Sequence, residues 1–147
     1  MGDEGSGAYL GKKVIQHFLY NIFDDDLRTK FDAKFVTTDA EILEAVYKKP
    51  LPNRYLASYA IFLTENRGHY MIENIIEDGI NDFFYTRIIS LRESQDLPVH
   101  FTGGIAYGFK ETVQQLCKNY GLKQGTILRS PIEGLIRYYG GGIKSEK

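Results

Sequence analysis

Hydrophobic residues recur at helical spacing along most of the first two thirds of the chain. The apolar positions from 10 to 23 predict a first helix over about 7–22, with Ser6 as its N-cap. A capping box from Thr38 to Glu41 opens another helix, which ends before Pro50. The remaining stripes predict helices over about 27–35, 53–65 and 69–92. Gly79 lies inside the last stripe, where a glycine costs about 1 kcal/mol relative to alanine, so we expect another helix to cross closely there.

The helical spacing of hydrophobic residues ends near residue 97. Residues 98–102 form a short β-type run, a helix is predicted over about 105–120, and residues 126–129 form a second β-type run. A capping box from Ser130 to Glu133 opens a last helix over about 131–139. Two strands joined by a helical crossover of this length predict a right-handed parallel β-α-β unit. The sequence therefore predicts an α/β protein that is mostly helical, with a short parallel β-α-β unit near the C-terminus.

Two parallel strands alone make an inadequate sheet, because parallel sheets are normally buried on both faces. The sequence also shows no internal repeat and no linker that would divide the chain. We therefore expect one portion of a larger domain, whose other strands would precede Met1. Its helical part is predicted over about 6–92, its β-α-β-α part over about 97–139, and a loose tail over 140–147.

The composition excludes several classes of protein. Hydrophobic residues make up 43% of the chain and charged residues 25%, as in globular domains and unlike disordered chains. The net charge of −1 disfavours generic nucleic-acid binding. The N-terminus lacks the regions of a signal peptide, and no apolar run approaches the roughly 18 residues of a membrane span. We expect a soluble, cytoplasmic protein with no nucleic-acid or membrane partner.

Two glycines follow the first predicted strand and precede a helix. Gly103 and Gly104 would let a flat or phosphorylated ligand approach the backbone, and parallel sheets bind ligands at the carboxyl ends of their strands. No Walker-type phosphate loop occurs in the sequence. A tight turn required only by packing explains the glycine pair equally well, so the spacing leaves both interpretations open.

Carboxylates stand among glycines at positions 2–6, just before the first helix. Asp3 and Glu4 could accept hydrogen bonds from hydroxyl groups of a ligand, or they could cap the helix, and composition alone favours capping. The acidic triple at 24–26 is interpreted in the same way, as a cap and a solvated helix face. A metal cluster there would need converging ligands from elsewhere in the chain.

The three histidines form none of the paired spacings of zinc hydrolases. His17 and His69 adjoin apolar helix faces, so we interpret them as packing residues. His100 alternates with apolar neighbours and is expected to face the opposite side of its strand. Cys117, the one cysteine, can form neither an internal disulfide nor a metal cage alone, and its apolar surroundings predict a core residue.

Several segments resemble one family. Residues 2–11, GDEGSGAYLG, resemble the GDEGS segment of N-acetylglucosamine kinases and of the wider BadF/BadG/BcrA/BcrD ATPase family. Residues 99–106, VHFTGGIA, resemble the adenosine motif of the superfamily that contains actin, hexokinase and the Hsp70 ATPase domain. Residues 52–58 and 130–135, PNRYLAS and SPIEGL, also resemble bacterial members. The resemblance covers nearly the whole chain, and its first motif is fairly specific.

This resemblance implies part of an actin-like ATPase fold. Family members close two ribonuclease-H-like domains over ATP, with Mg²⁺, and a sugar substrate. Their phosphate loops and catalytic Asp would lie upstream of Met1. The chain is therefore expected to be the C-terminal segment of the second domain of an ATP-dependent sugar kinase, with no catalytic residue of its own and no activity alone. The substrate implied is N-acetylglucosamine or a related amino sugar.

Site residues can be carried over by position from the resemblance. Asp3 would accept a hydrogen bond from a sugar hydroxyl, and Glu4 would lie beside it with a less defined role. Thr102, Gly103 and Gly104 would border the adenosine, where a side chain in place of either glycine would collide with the base or ribose.

Two other functions stay open at this stage. The first, in the same fold, is an ATPase that activates a radical dehydratase. Those activators hold an iron–sulfur cluster through cysteines, which a lone Cys117 fits poorly. The second is a helical interaction module without catalysis, in which Tyr138 and Tyr139 contribute to a docking patch. The isolated chain is also expected to self-associate, for instance as a homodimer, because unpaired strand edges invite pairing.

Overall fold

The computed structural model describes residues 2–50 and 52–140. They form two compact units, of which the first ends at Phe83 and the second begins at Phe84. Residues 84–92, expected in the helical part, thus belong to the second unit. Most of the tail expected over 140–147 lies outside the described residues.

Among its described residues, all the regular secondary structure of the first unit is helical. Its helices are α1 (Gly7–Leu19), α2 (Asp25–Lys34), α3 (Asp39–Lys48), α4 (Pro52–Ser58), α5 (Ile61–Glu65) and α6 (Tyr70–Phe83).

Local hydrogen bonds start α1 and α3 where the sequence predicts. The Ser6 hydroxyl accepts the amide proton of Tyr9 at 3.1 Å, which confirms the cap of α1. The Thr38 hydroxyl accepts the Glu41 amide, and the Glu41 carboxylate accepts the Thr38 amide at 2.7 Å. This reciprocal pair is the predicted capping box of α3.

The ends of the helices differ from the predictions. Helix α1 stops at Leu19 rather than near residue 22, and Asn21 takes a positive φ of 54°. The helix predicted over 53–65 is divided at Tyr59 and Ala60, whose amides bond to carbonyls three residues back. The helix predicted over 69–92 ends at Phe83. No glycine or proline marks any of these interruptions in the sequence.

An aromatic cluster forms the centre of the first unit. Phe31 lies in its middle, fully buried, with its ring 4.0 Å from that of Phe18 and 5.5 Å from that of Phe62. Such ring pairs add about 0.5–1.5 kcal/mol beyond the area they bury. The other rings of the cluster belong to Phe23, Phe35 and Tyr59.

Two glycines permit close helix crossings against α1. A Cβ atom on Gly79 of α6 would lie 2.3 Å from Leu10 Cδ2, which confirms the crossing expected there. A Cβ atom on Gly11 would lie 1.8 Å from the carbonyl oxygen of Leu56 in α4. The sequence analysis did not anticipate the second crossing.

The second unit contains the sheet. It begins with a π-helical turn (Phe84–Ile88), in which the Ile89 amide bonds to the Phe84 carbonyl. The following elements are α7 (Glu93–Asp96), β1 (Val99–Thr102), α8 (Gly104–Gly108), α9 (Lys110–Asn119), β2 (Gln124–Leu128) and α10 (Pro131–Gly140). The helix predicted over 105–120 is thus divided at the buried Phe109, where φ is −117°.

Strands β1 and β2 pair in parallel, as predicted. The register places Val99 opposite Gln124 but Phe101 opposite Ile127, so β2 carries an extra residue. The exposed His100 side chain compensates at this bulge, because its Nδ1 accepts the Thr126 amide proton at 3.0 Å. His100 therefore faces away from the buried Phe101, as expected.

Helix α10 has no buried residue, although its composition is strongly apolar. Its large apolar side chains are between 54% and 77% exposed. They are Ile132, Leu135, Ile136, Tyr138 and Tyr139. Within the described residues, no helix has the length and hydropathy needed to cross a membrane.

Candidate functional site

The acidic motif at the N-terminus folds into a tight turn. The Ser6 amide donates to the Asp3 carbonyl at 2.9 Å, which closes a four-residue turn over Asp3–Ser6. Gly5 is its third residue and has a φ of +74°, the value that a type II turn requires there. A Cβ atom on Gly5 would also lie 2.8 Å from Phe83 Cβ. The glycine is therefore fixed by both the turn and its packing.

The fold accounts for most of this motif but leaves the Asp3 carboxylate unused. Gly5 is required by the turn, Ser6 caps α1, and Gly11 permits the α4 crossing. Asp3 is exposed, and within the described part of the chain its carboxylate makes no hydrogen bond or ion pair. Ser6, and not Asp3 or Glu4, is the cap of α1. The capping interpretation that composition favoured for these two residues is therefore wrong.

A polar network lies beside the turn, and the sequence analysis missed it. The Tyr9 hydroxyl donates to Asp82 Oδ2 at 2.6 Å, and Lys13 Nζ lies 3.2 Å from the same oxygen. Burial and the Asp82 hydrogen bond raise the pKa of Tyr9 to about 12. The negative charges of Asp3 and Glu4 add to this rise in pKa. The turn and the network thus share one electrostatic environment.

This network stabilises the charged form of the Asp82 carboxyl group. Burial alone would raise the pKa of its carboxyl group, but the Tyr9 hydrogen bond and Lys13 together hold it below the ordinary 3.8. A carboxyl group with a depressed pKa stabilises the fold above its unfolded pKa, and this stability is lost as the pH falls through the folded pKa.

The lowered pKa of Asp82 predicts how the stability of the first unit depends on pH at acidic values. We expect the free energy of unfolding of Asp82→Asn to fall less steeply than that of the wild type as the pH drops below about 4. Urea denaturation at a series of pH values measures the difference. Asp78→Asn, an exposed change on the same helix, is the control and should follow the wild type. Parallel curves for the wild type and Asp82→Asn would contradict the prediction.

The second group of sequence-predicted site residues lies at the end of β1. Gly103 precedes α8 with a φ of +128°, and its amide donates to the Leu128 carbonyl at 2.9 Å. Only glycine adopts that backbone angle without strain. A Cβ atom on Gly103 or Gly104 would meet no heavy atom within 4 Å.

Gly103 and Gly104 therefore differ in whether the structure requires a glycine at their position. Backbone geometry explains Gly103, so the turn interpretation is sufficient for it. Gly104 has no contact within 4 Å that would exclude a side chain and no left-handed φ. The exposed Thr102 and Gly104 leave open space at the carboxyl end of β1, which suits a ligand that approaches the backbone.

The structure assigns the two groups to different compact units. Asp3 and Glu4 belong to the first unit, and Thr102, Gly103 and Gly104 belong to the second. Within each unit the residues are neighbours along the chain, so local sequence could identify each group.

A surface groove in the first unit contains none of these residues. It has a volume of about 380 Å³ and lies between α3 and α4. Its polar lining includes Glu41, Lys49 and the Tyr55 side chain. The Glu41 carboxylate is already engaged in the capping box, which lowers its pKa.

The histidines and the cysteine have structural partners. Asp24 caps α2 through one carboxylate oxygen and lies 3.0 Å from His69 Nε2 through the other. His17 Nδ1 lies 2.8 Å from the Lys13 carbonyl oxygen. Burial raises the pKa of the Cys117 thiol, as expected for a core residue. Among residues 2–50 and 52–140, no cluster of side chains could hold a metal ion.

Comparison with solved structures gives matches that include one extensive similarity. The chain is similar to the crystal structure of a Porphyromonas gingivalis protein named "Putative N-acetylglucosamine Kinase". The two share 35% sequence identity with a TM-score of 0.88, over 96% of this chain and 50% of that one. The chain thus spans about half the length of this neighbour. At this identity the similarity extends beyond the fold and supports a kinase-like relationship.

Other comparisons give no match. No protein-family model matches the sequence, and no curated protein matches it either.

Proposed function

We propose that this chain is the C-terminal part of an ATP-dependent kinase that phosphorylates N-acetylglucosamine or a related amino sugar. One observation carries the proposal: 96% of the chain is similar, at 35% identity, to about half of a protein with that name. The two-stranded parallel sheet and its helices then correspond to part of a ribonuclease-H-like domain of the actin type. The rest of the kinase would be supplied by residues outside this chain.

In this proposal the Asp3 carboxylate accepts a hydrogen bond from a sugar hydroxyl, with Glu4 beside it. Its exposure and its lack of a hydrogen-bond or ion-pair partner among the described residues support this role. Thr102, Gly103 and Gly104 border the adenosine of ATP, and the open space over both glycines fits a flat ligand there.

The chemistry divides between this chain and the rest of the kinase. Phosphoryl transfer depends mainly on positioning and charge neutralisation, and Mg²⁺ supplies the latter when bound with ATP. This chain orients the sugar and the adenosine. The general base that takes the proton of the attacking hydroxyl lies outside it, so the chain alone should be inactive.

The test is ATP turnover by the intact protein with and without amino sugars. N-acetylglucosamine, glucosamine and N-acetylmannosamine are compared with a control that contains no sugar, and the isolated chain is assayed in parallel. We expect turnover that depends on one of the sugars and requires the intact protein. ATP turnover at the same rate with and without each amino sugar would overturn the proposed substrate class.

The alternative functions receive no comparable support. An activator of a radical dehydratase would need cysteines at a cluster, whereas Cys117 is 1% exposed in the core. A stoichiometric iron–sulfur spectrum of the intact protein would nevertheless favour it. The exposed face of α10 is compatible with an interaction module, and failure of the intact protein to bind ATP and sugar would favour that function.

Gly104→Val tests the adenosine site. The valine has room in the free chain, because no heavy atom lies within 4 Å of the added Cβ. It would occupy the space proposed for adenosine, so we expect ATP affinity to fall about tenfold or more, in line with overpacking costs of 1–3 kcal/mol. Isothermal titration with a non-hydrolysable ATP analogue measures this change.

Gly108→Val in the same helix is the matched control, since it also has no neighbour within 4 Å. It should keep wild-type ATP affinity, and both variants should keep wild-type sugar affinity. Equal ATP affinity in Gly104→Val and Gly108→Val would exclude Gly104 from the nucleotide site.

A further inference from the structure

Two consecutive residues at the end of α6 contact the acidic turn and the helix that follows it. Phe83 packs against Gly5, the third residue of the turn. Asp82 accepts the hydroxyl proton of Tyr9, which lies in the first turn of α1. The turn is thus held at two points by a helix more than 70 residues later in the chain.

Tyr9 connects Asp82 to the turn through short links. Its amide donates to the Ser6 hydroxyl at 3.1 Å, and the Ser6 amide donates to the Asp3 carbonyl at 2.9 Å. These bonds form a chain from α6 to the residue whose carboxylate is exposed. Loss of the Asp82 contact would remove one of the two points at which α6 holds this segment.

Lys13 also contacts the carboxylate oxygen of Asp82 that accepts the Tyr9 hydroxyl proton. Its Nζ lies 3.2 Å from Asp82 Oδ2 and 5.1 Å from the centre of the Tyr9 ring. The ammonium group therefore contacts both members of the hydrogen-bonded pair. A charged acceptor makes a stronger hydrogen bond than a neutral one, so the Tyr9 contact should be stronger than an ordinary bond between two side chains.

We propose that Asp82 is a positioning residue, which anchors the Asp3–Ser6 turn through the hydroxyl of Tyr9. This inference rests on the proposed function, in which the turn presents Asp3 to the sugar. Asp82 itself is assigned no contact with the substrate. Its effect on sugar affinity passes through the geometry of the turn.

The experiment is a double-mutant cycle of Tyr9→Phe and Asp82→Ala in the intact protein. Amide hydrogen exchange over residues 2–9 measures the opening of the turn, and calorimetry measures the affinities for N-acetylglucosamine and for an ATP analogue. Each single variant should increase exchange about tenfold and weaken sugar binding about tenfold, which is at the low end for loss of a hydrogen bond to a charged group. ATP affinity should stay within about twofold of the wild type.

The double variant should show the same hydrogen exchange and sugar affinity as Asp82→Ala alone, because both changes remove the same hydrogen bond. Asp82→Asn keeps an oxygen that can accept the Tyr9 hydroxyl proton, so it should restore part of the sugar affinity. Asp78→Ala, one turn earlier on α6 and exposed, should match the wild type in every measurement.

Additive effects of the two substitutions, or unchanged exchange over residues 2–9 in Asp82→Ala, would overturn the positioning role. A purely structural role would lower the melting temperature without changing sugar affinity well below it, which would also overturn the proposal. A wild-type protein that binds no amino sugar would overturn the proposed function instead. In that case the exchange cycle alone decides whether Asp82 anchors the turn.

Discussion

Gly11→Ala is expected to destabilise the first unit by about 3 kcal/mol or more, at the upper end of overpacking costs. The added methyl carbon would lie 1.8 Å from the Leu56 carbonyl oxygen and 2.7 Å from its carbonyl carbon. Both atoms belong to the backbone of α4, so no change of rotamer can relieve the contact. Helices α1 and α4 would have to separate, which would expose part of the buried surface between them. Urea denaturation followed by circular dichroism measures the loss.

Gly79→Ala is the matched control for this prediction. Its added methyl carbon would lie 2.3 Å from Leu10 Cδ2, the end of a flexible side chain. Leu10 can change its rotamer, although it is fully buried, and alanine improves helix propensity by about 1 kcal/mol. We therefore expect a smaller loss than for Gly11→Ala. An equal or larger loss for Gly79→Ala would show that the backbone contact at Gly11 is not the decisive one.

Local signals in the sequence predicted the starts of helices well. Ser6 and the Thr38–Glu41 capping box act within three residues, so their hydrogen bonds depend on little besides the local chain. The parallel β-α-β unit follows in the same way from the order of its elements and the length of its crossover. The acidic triple at 24–26 was also interpreted correctly, since Asp24 caps α2.

Long-range contacts set the features that the sequence did not predict. The π-helical turn after Phe83 carries no local breaker signal at the point where it occurs. The interruption at Phe109 differs, because Gly108 directly precedes it and is a local signal that the sequence analysis did not use. Gly11 is explained only by the approach of Leu56, 45 positions later in the chain. Gly79 was easier to interpret, because a glycine within a long apolar stripe is unusual by itself.

The candidate site shows the same difference between local features, which the sequence predicted, and long-range contacts, which it did not. The carboxylates and the glycine pair are visible as motifs because each is contiguous in the sequence. The partnership of Tyr9 with Asp82 spans 73 positions, and no spacing rule connects them. The structure also separates the roles within a motif. It assigns Gly5 and Ser6 to the turn and the cap, and among the described residues it gives the Asp3 carboxylate no hydrogen-bond or ion-pair partner.

Asp3→Ala is accordingly expected to reduce sugar affinity about 10- to 100-fold, the usual cost of losing a hydrogen bond to a charged group. The fold should be unaffected, because only the backbone carbonyl of Asp3 takes part in the turn and alanine retains it. Calorimetric titration of the intact protein with N-acetylglucosamine measures the affinity, and thermal unfolding checks the fold. ATP affinity should not change.

Two further variants test whether the charge of Asp3 is responsible for the expected loss of sugar affinity. Asp3→Asn keeps the shape of the side chain without its charge, so its sugar affinity should fall between those of the wild type and Asp3→Ala. Asp32→Ala removes another exposed carboxylate, on α2, and should bind sugar like the wild type. If Asp3→Ala and Asp32→Ala bound the sugar equally well, Asp3 would not belong to the site. The proposed contact with the sugar would then have to be made by other residues, in this chain or in the rest of the kinase.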